Sequence, residues 1–364
     1  MTNIKFGTDG WRAIIAKEFT VDNVIRVAKA TADWAKQQSE LPSICIGNDC
    51  RFAGKLFVDS CVNVFLHEGV KVYYAKNPFV TTPMVSLGTV ELGATLGVVM
   101  TASHNPASYQ GYKLKGDFGG PMLPDQIAEV EALIPATHNL PEVDWTDAEK
   151  QGLLQYVDLE QMYVDRVRSS FDLDAIKKAN VTLGYDAMYG AGQAVLPRIL
   201  PKAKLLHCEY NPSFHGIAPE PIHKNLKEFS ALIATGNQID LGLATDGDAD
   251  RIGLYNSAGE FVDSHRILLL LIHYLRKYKK QDGLVVTAFS ATERIATLCA
   301  HYNLEQIVTK IGFKYIAGYM VTDDVMVGGE ESGGIAIKGF IPERDGIWMG
   351  LTILEFMAKT GRTI

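Results

Sequence analysis

The sequence predicts an α/β protein built from three consecutive domains with mixed sheets around one shared cleft, and three observations carry that prediction. The chain has 364 residues, more than one hydrophobic core usually supports. Helix-length and strand-length apolar patterns alternate along it in three rounds, as successive α/β units require. Each round closes with a short apolar strand that runs straight into a polar loop, at Ser103, at Asp246 and at Glu330. Open α/β sheets place ligands at the carboxyl ends of their strands, so three loops of matching design argue for one cleft.

In the first round a helix over 21–37 precedes a strand over 43–47, a helix near 54–68, a strand over 70–75 and a buried strand over 97–100. The second runs through a strand over 181–185, a helix opening at Gly190, a strand over 205–208, a helix near 225–235 and a strand over 241–245. The third has a helix over 264–278, a strand over 283–288, helices over 292–301 and 312–320, a strand from Val325 and a last helix over 345–359. The polar stretch 135–152 reads as the first linker, and the turn signal at 256–259 as the second boundary. Domains over 1–148, 149–257 and 258–364 follow.

Apolar residues at 47% and charged residues at 21% are globular values, which exclude a disordered or fibrous chain. A net charge of -7 argues against nucleic acid as a partner, so an anionic substrate needs local positive charge in the cleft. Arg12, Lys113, Arg251 and Lys314 can supply it. The five cysteines form no Cys-x-x-Cys pair and are odd in number, which fits a reduced, cytoplasmic setting. The amino terminus lacks an apolar signal region, and the longest apolar run, 267–272, is too short to span a bilayer and reads as core helix. No membrane partner is expected, and the sequence leaves the oligomeric state open.

Asn105-Pro106 forces the chain to turn after the 97–100 strand, which lifts Ser103 into a tight polar loop where a nucleophile belongs. The 241–245 strand runs into Asp246, Asp248 and Asp250, three carboxylates spaced two apart that repel one another unless a cation joins them. Hard oxygen ligands of this kind suit Mg²⁺. A calcium EF-hand fails on two counts, because its sixth position is Arg251 instead of Gly and its twelfth is Ser257 instead of Glu. A phosphate on Ser103 would complete the metal's ligands. In the third loop, Gly328-Gly329-Glu330-Glu331-Ser332-Gly333-Gly334, the glycines admit close approach of a ligand, while Glu330 and Ser332 suit sugar hydroxyls.

With these residues in view, the chain resembles the α-D-phosphohexomutases, the phosphoglucomutase and phosphomannomutase superfamily. Thr101-Ala102-Ser103-His104-Asn105-Pro106 is similar to the family's phosphoserine loop, Asp246-Gly247-Asp248-Ala249-Asp250-Arg251 to its metal loop, and Gly329-Glu330-Glu331-Ser332-Gly333 to its sugar-recognition loop. Phe6-Gly7-Thr8-Asp9-Gly10-Trp11-Arg12 resembles the opening motif, whose arginine faces the active site, and Gly111-Tyr112-Lys113 the segment carrying the active-site lysine. The resemblance implies a phosphoglucomutase-like enzyme acting on a hexose phosphate. Phosphorylated Ser103 would give its phosphoryl group to the sugar, a hexose 1,6-bisphosphate would turn around, and Ser103 would take back the other phosphate. It further implies Mg²⁺ on Ser103, Asp246, Asp248 and Asp250, glucose 1,6-bisphosphate as activator, and Arg251 with Arg12 balancing charge. Lys113 is expected to help with acid-base chemistry, its pKa lowered by neighbouring cations and burial, with His104 as second candidate.

A serine hydrolase would want Gly-x-Ser-x-Gly, whereas Ser103 lies between Thr101-Ala102 and His104-Asn105. An aspartyl phosphatase would want Asp-x-Asp near the first strand, where the chain has Thr8-Asp9-Gly10-Trp11. Glu330-Glu331-Ser332 resembles the phosphoglucomutase branch, and phosphomannomutase is the alternative. Lys314 resembles a lysine of glucose-specific members, and a surface lysine at a helix start is its plain reading. The family's arginine- and serine-rich phosphate-binding motif does not follow Glu343-Arg344-Asp345-Gly346. A truncated chain or proteolytic core lacking a fourth domain is therefore expected, and a natural three-domain variant would leave a non-catalytic sugar-phosphate binder open.

Overall fold

A computed structural model describes residues 3–236 and 238–364. The first sheet contains β1 (Trp11–Ile14), β2 (Ser43–Asn48), β3 (Lys71–Ala75), β4 (Leu96–Met100), β5 (Tyr109–Gly116) and β6 (Leu154–Val157), in the order β1-β5-β4-β2-β3-β6. The second contains β7 (Leu183–Asp186), β8 (Lys204–Leu206), β9 (Leu241–Thr245), β10 (Ile252–Asn256) and β11 (Phe261–Val262), ordered β11-β10-β9-β7-β8. β12 (Leu284–Ala288), β13 (Gln306–Thr309), β14 (Val325–Gly329) and β15 (Ile335–Ile337) form the third, ordered β13-β12-β14-β15.

One motif recurs in all three sheets. A buried strand pairs in parallel on one side, then returns through a loop into an antiparallel neighbour: β4 into β5, β9 into β10, β14 into β15. β4, β9 and β14 are buried along their whole length, which explains their unbroken apolar runs. Their three return loops carry Ser103, the aspartates and Glu330.

The three units are locked to one another through the backbone. Thr82 N donates to Asp248 O at 3.0 Å, and Ile252 N donates to Gly333 O at 3.1 Å. Arg251 and Gly334 form an antiparallel bridge between the second and third sheets. One apolar core runs through all three units, from Val99 through Leu243 to Met326.

At both expected boundaries the chain stays with the sheet that precedes it. The 135–152 segment folds back on the first unit: Trp145 Nε1 donates to Asn63 Oδ1 at 2.5 Å, and its ring meets Tyr74 edge-on at 5.9 Å. β6, placed by the sequence in the second domain, pairs in parallel with β3, so the first sheet continues through Val157. The 256–259 turn closes the β10–β11 hairpin of the second sheet, with Gly259 at φ 76°. Turn signals mark a change of direction, and hairpins and linkers share them.

The helix expected to open at Gly190 is a 3₁₀ turn at Ala191–Gln193 followed by a short helix at Val195–Ile199. The helix Thr82–Glu91 was not foreseen, because eight of its ten residues are buried and it shows no polar face. The run 267–272 lies in the helix Ser264–His273, and no helix among the described residues is long and apolar enough to cross a membrane.

Candidate active site

Ser103 is almost fully buried at the end of β4 and adopts φ 53°, a left-handed conformation that serine rarely takes. Its N–H donates to Thr101 Oγ1 at 2.9 Å, and Thr101 Oγ1 donates to Asp49 Oδ2 at 2.5 Å. Ser103 Oγ donates to Asp246 Oδ2 at 2.6 Å and lies 3.3 Å from His104 Nδ1. The nucleophile candidate is thus hydrogen-bonded to the first residue of the aspartate loop.

The three aspartates converge as the spacing predicts, each offering an oxygen within 4.8 Å of the others. All three are buried. Asp248 Oδ1 and Asp250 Oδ1 are shielded from solvent without a hydrogen-bond partner among the described residues, an arrangement that is costly for carboxylates unless a cation supplies the missing interaction. Three hard oxygen donors with two idle oxygens fit a divalent cation of the Mg²⁺ type. Burial, followed by Asp248 and Asp250, holds the Asp246 carboxyl well above the usual range. Burial also opposes ionisation of Asp248, but Lys113 and the Thr82 hydroxyl outweigh it and hold that group below its ordinary value.

Lys113 comes from β5, and its Nζ reaches Asp9 Oδ2 at 2.8 Å, Asp248 Oδ2 at 2.8 Å and Asp250 Oδ2 at 2.9 Å. The expected lowering of its pKa does not occur here. Burial pulls the value down, yet three carboxylates in contact overcome it and raise the group above its ordinary range. His104 shifts the other way: burial, then Arg251 and Arg12, lowers it to about 2, so its ring stays neutral. Asn105 Oδ1 accepts from Arg12 Nη1 at 2.8 Å.

A cleft of about 410 Å³ opens over these groups, lined by Arg12, His104, Arg251, Glu330, Ser332 and Arg344 among others. Glu330 Oε1 accepts from Gly312 N at 2.7 Å, and burial raises its pKa. Lys314 does not line this cleft. Its Nζ points to Gly7 O at 3.4 Å, closing the seam between the opening motif and the third unit.

Several site residues escaped the sequence reading. Asp9 bridges Lys113 and Arg344, and Arg344 Nη2 also reaches Asp250 Oδ2 at 2.8 Å. Thr82 Oγ1 donates to Asp248 Oδ2 at 2.5 Å. Lys115 pairs with Glu343 at 2.6 Å behind this layer. Asp9 lies inside the opening motif and Lys115 two residues from Lys113 on the same strand, and those placements are the signals that point to them.

Sequence models of the phosphoglucomutase/phosphomannomutase α/β/α domains match this chain in order: domain I over 3–140, domain II over 161–259 and domain III over 263–364. The chain belongs to the phosphoglucomutase/phosphomannomutase family. A phosphoglucosamine mutase from Desulforamulus reducens is 32% identical over 369 residues, covering 99% of this chain and 80% of its own. A phosphoglucomutase/phosphomannomutase from Thermococcus kodakarensis is 29% identical over 363 residues, covering 98% and 78%. Among solved structures, a Thermus thermophilus protein described as a phosphomannomutase superposes with a TM-score of 0.92 at 33% identity, covering 100% of this chain and 82% of its own. The chain is a phosphohexomutase, an isomerase that moves a phosphoryl group within a hexose phosphate.

Proposed function

We propose that this phosphohexomutase interconverts hexose 1-phosphates and hexose 6-phosphates through phosphorylated Ser103 and a hexose 1,6-bisphosphate, with glucose phosphates as its preferred pair. The contact between Ser103 Oγ and Asp246 Oδ2 at 2.6 Å, beneath a cleft rimmed by Arg12 and Arg251, carries this reading. Asp246, Asp248 and Asp250 would hold Mg²⁺, which supplies charge neutralisation for phosphoryl transfer when bound.

The protein's own residues do the rest. Arg12 and Arg251 offset charge on the moving phosphoryl group, and Arg12 also orients the serine loop through Asn105. Neutral His104, 3.3 Å from Ser103 Oγ, positions that oxygen; a ring with a pKa of about 2 is too weak a base to take the sugar hydroxyl's proton. Lys113, held as an ammonium, fixes Asp248 and Asp250 in place. Glu330 and Ser332 face the sugar. Hexosamine phosphates are the second reading, favoured by relatives that are phosphoglucosamine mutases at 27–32% identity.

The test is incubation with glucose 1,6-bisphosphate and Mg²⁺ followed by intact mass. One phosphoryl group should add to the wild-type chain and none to Ser103→Ala; equal addition to both would remove Ser103 as the nucleophile. Turnover of glucose 1-phosphate should exceed that of glucosamine 1-phosphate and mannose 1-phosphate, and the reverse order would reassign the substrate.

A further inference from the structure

Arg51 lies just past the end of β2 and is 2% exposed, yet no step above uses it. Its guanidinium is spent on one segment. Nη2 donates to Ser103 O and Asn105 O, both at 2.6 Å, and Nη1 donates to Pro106 O at 2.9 Å and Tyr109 O at 3.2 Å. Nε faces Asp49 Oδ2 at 3.3 Å, the oxygen that accepts from Thr101. From the second unit, the Phe214 ring covers the guanidinium with its centroid 4.9 Å from Cζ.

A left-handed serine is strained and persists only where its surroundings over-determine it. Four carbonyls on one rigid planar fork do that, and an ammonium could not span them. We propose that Arg51 is a positioning residue for phosphoryl transfer, clamping the loop so that Ser103 Oγ stays directed at Asp246. This inference rests on the mutase reading. Through Phe214 it also ties the serine loop to the unit that carries the aspartates.

The test uses the full chain with Mg²⁺ and glucose 1,6-bisphosphate. Arg51→Lys keeps a charge beside Asp49 but loses the fork. The rate of Ser103 phosphorylation and kcat should fall on the order of 100-fold while KM changes less than about threefold. Added guanidinium should restore part of the rate in Arg51→Ala and leave wild type unchanged. Unchanged phosphorylation in a folded Arg51→Lys chain, or a loss confined to KM, overturns the proposal. Should neither Arg51 variant fold, Phe214→Leu decides: a kcat loss of about threefold or more at constant KM supports the clamp, and an unchanged kcat rejects it. Wild-type chain that accepts no phosphoryl group at Ser103 fails the mutase reading instead.

Discussion

Asp248 shows how one side chain serves two tasks. One oxygen binds Lys113 and Thr82, while the other is buried and idle. Asp248→Asn should therefore raise the Mg²⁺ concentration for half-maximal phosphorylation at least about tenfold, because a hard cation loses a charged ligand. In an acidic turn that held no metal, relieved repulsion would make this change neutral or stabilising. The ion pair with Lys113 reverses that expectation, and a loss of about 1–3 kcal/mol should appear in denaturant unfolding, limited because Asp9 and Asp250 still face the lysine. Unchanged Mg²⁺ dependence would remove Asp248 from the metal set. His104 yields a second expectation. With its pKa near 2, it contributes no acid limb near pH 6.5 to kcat/KM. A limb there that vanishes in His104→Gln would show that the ring titrates in the working range.

The proposed catalytic elements are the three return loops, and their contact with one another is as tight as their individual shapes. A Cβ on Gly247 would stand 2.4 Å from Ser103 O, so the aspartate loop can approach the serine loop only with glycine at that position. Gly247→Ala should lower kcat more than about tenfold and cost about 1–3 kcal/mol, since neither backbone has room to retreat. Near-wild-type turnover would mean that the spacing of these loops does not govern transfer. The loops themselves were legible because each is local: an apolar strand, a turn signal, then a polar run. The helix Thr82–Glu91 was not, since burial on nearly every side erases the 3.6-residue pattern, although its first turn supplies Thr82 to Asp248.

Across the whole molecule, the helix Gly346–Thr360 belongs to the third unit by sequence but packs against β9 and β10 of the second. Glu355, buried on that helix, accepts from Tyr274 Oη at 2.8 Å and pairs with Lys279 at 2.9 Å and Lys359 at 3.0 Å. Burial works against its charge, but these partners lower its pKa from 4.5 to about 2. A depressed folded pKa adds stability above the unfolded value, and that stability is lost as pH falls from 4.5 toward 2. Glu355→Gln should therefore cost on the order of 2–3 kcal/mol at pH 7 and much less near pH 2.5. An equal cost at both values would mean that shape, not charge, holds this helix in place.

Strand periodicity, turn chemistry and closely spaced carboxylates are properties of neighbouring residues, so the three α/β units, the serine loop, the aspartate triad and the Glu330 loop are legible in the chain itself. Tertiary structure decided which distant charges meet. Asp9, Lys113, Asp250 and Arg344 come from four separate segments, and their contact raises the lysine's pKa where the sequence suggested a fall. Arg51 likewise reads as one more polar residue after a strand until the fold places four carbonyls around its guanidinium. Periodicity fixes where a side chain points within its own element. Pairing energies depend on burial and on partners brought in by the rest of the chain, which no local pattern encodes.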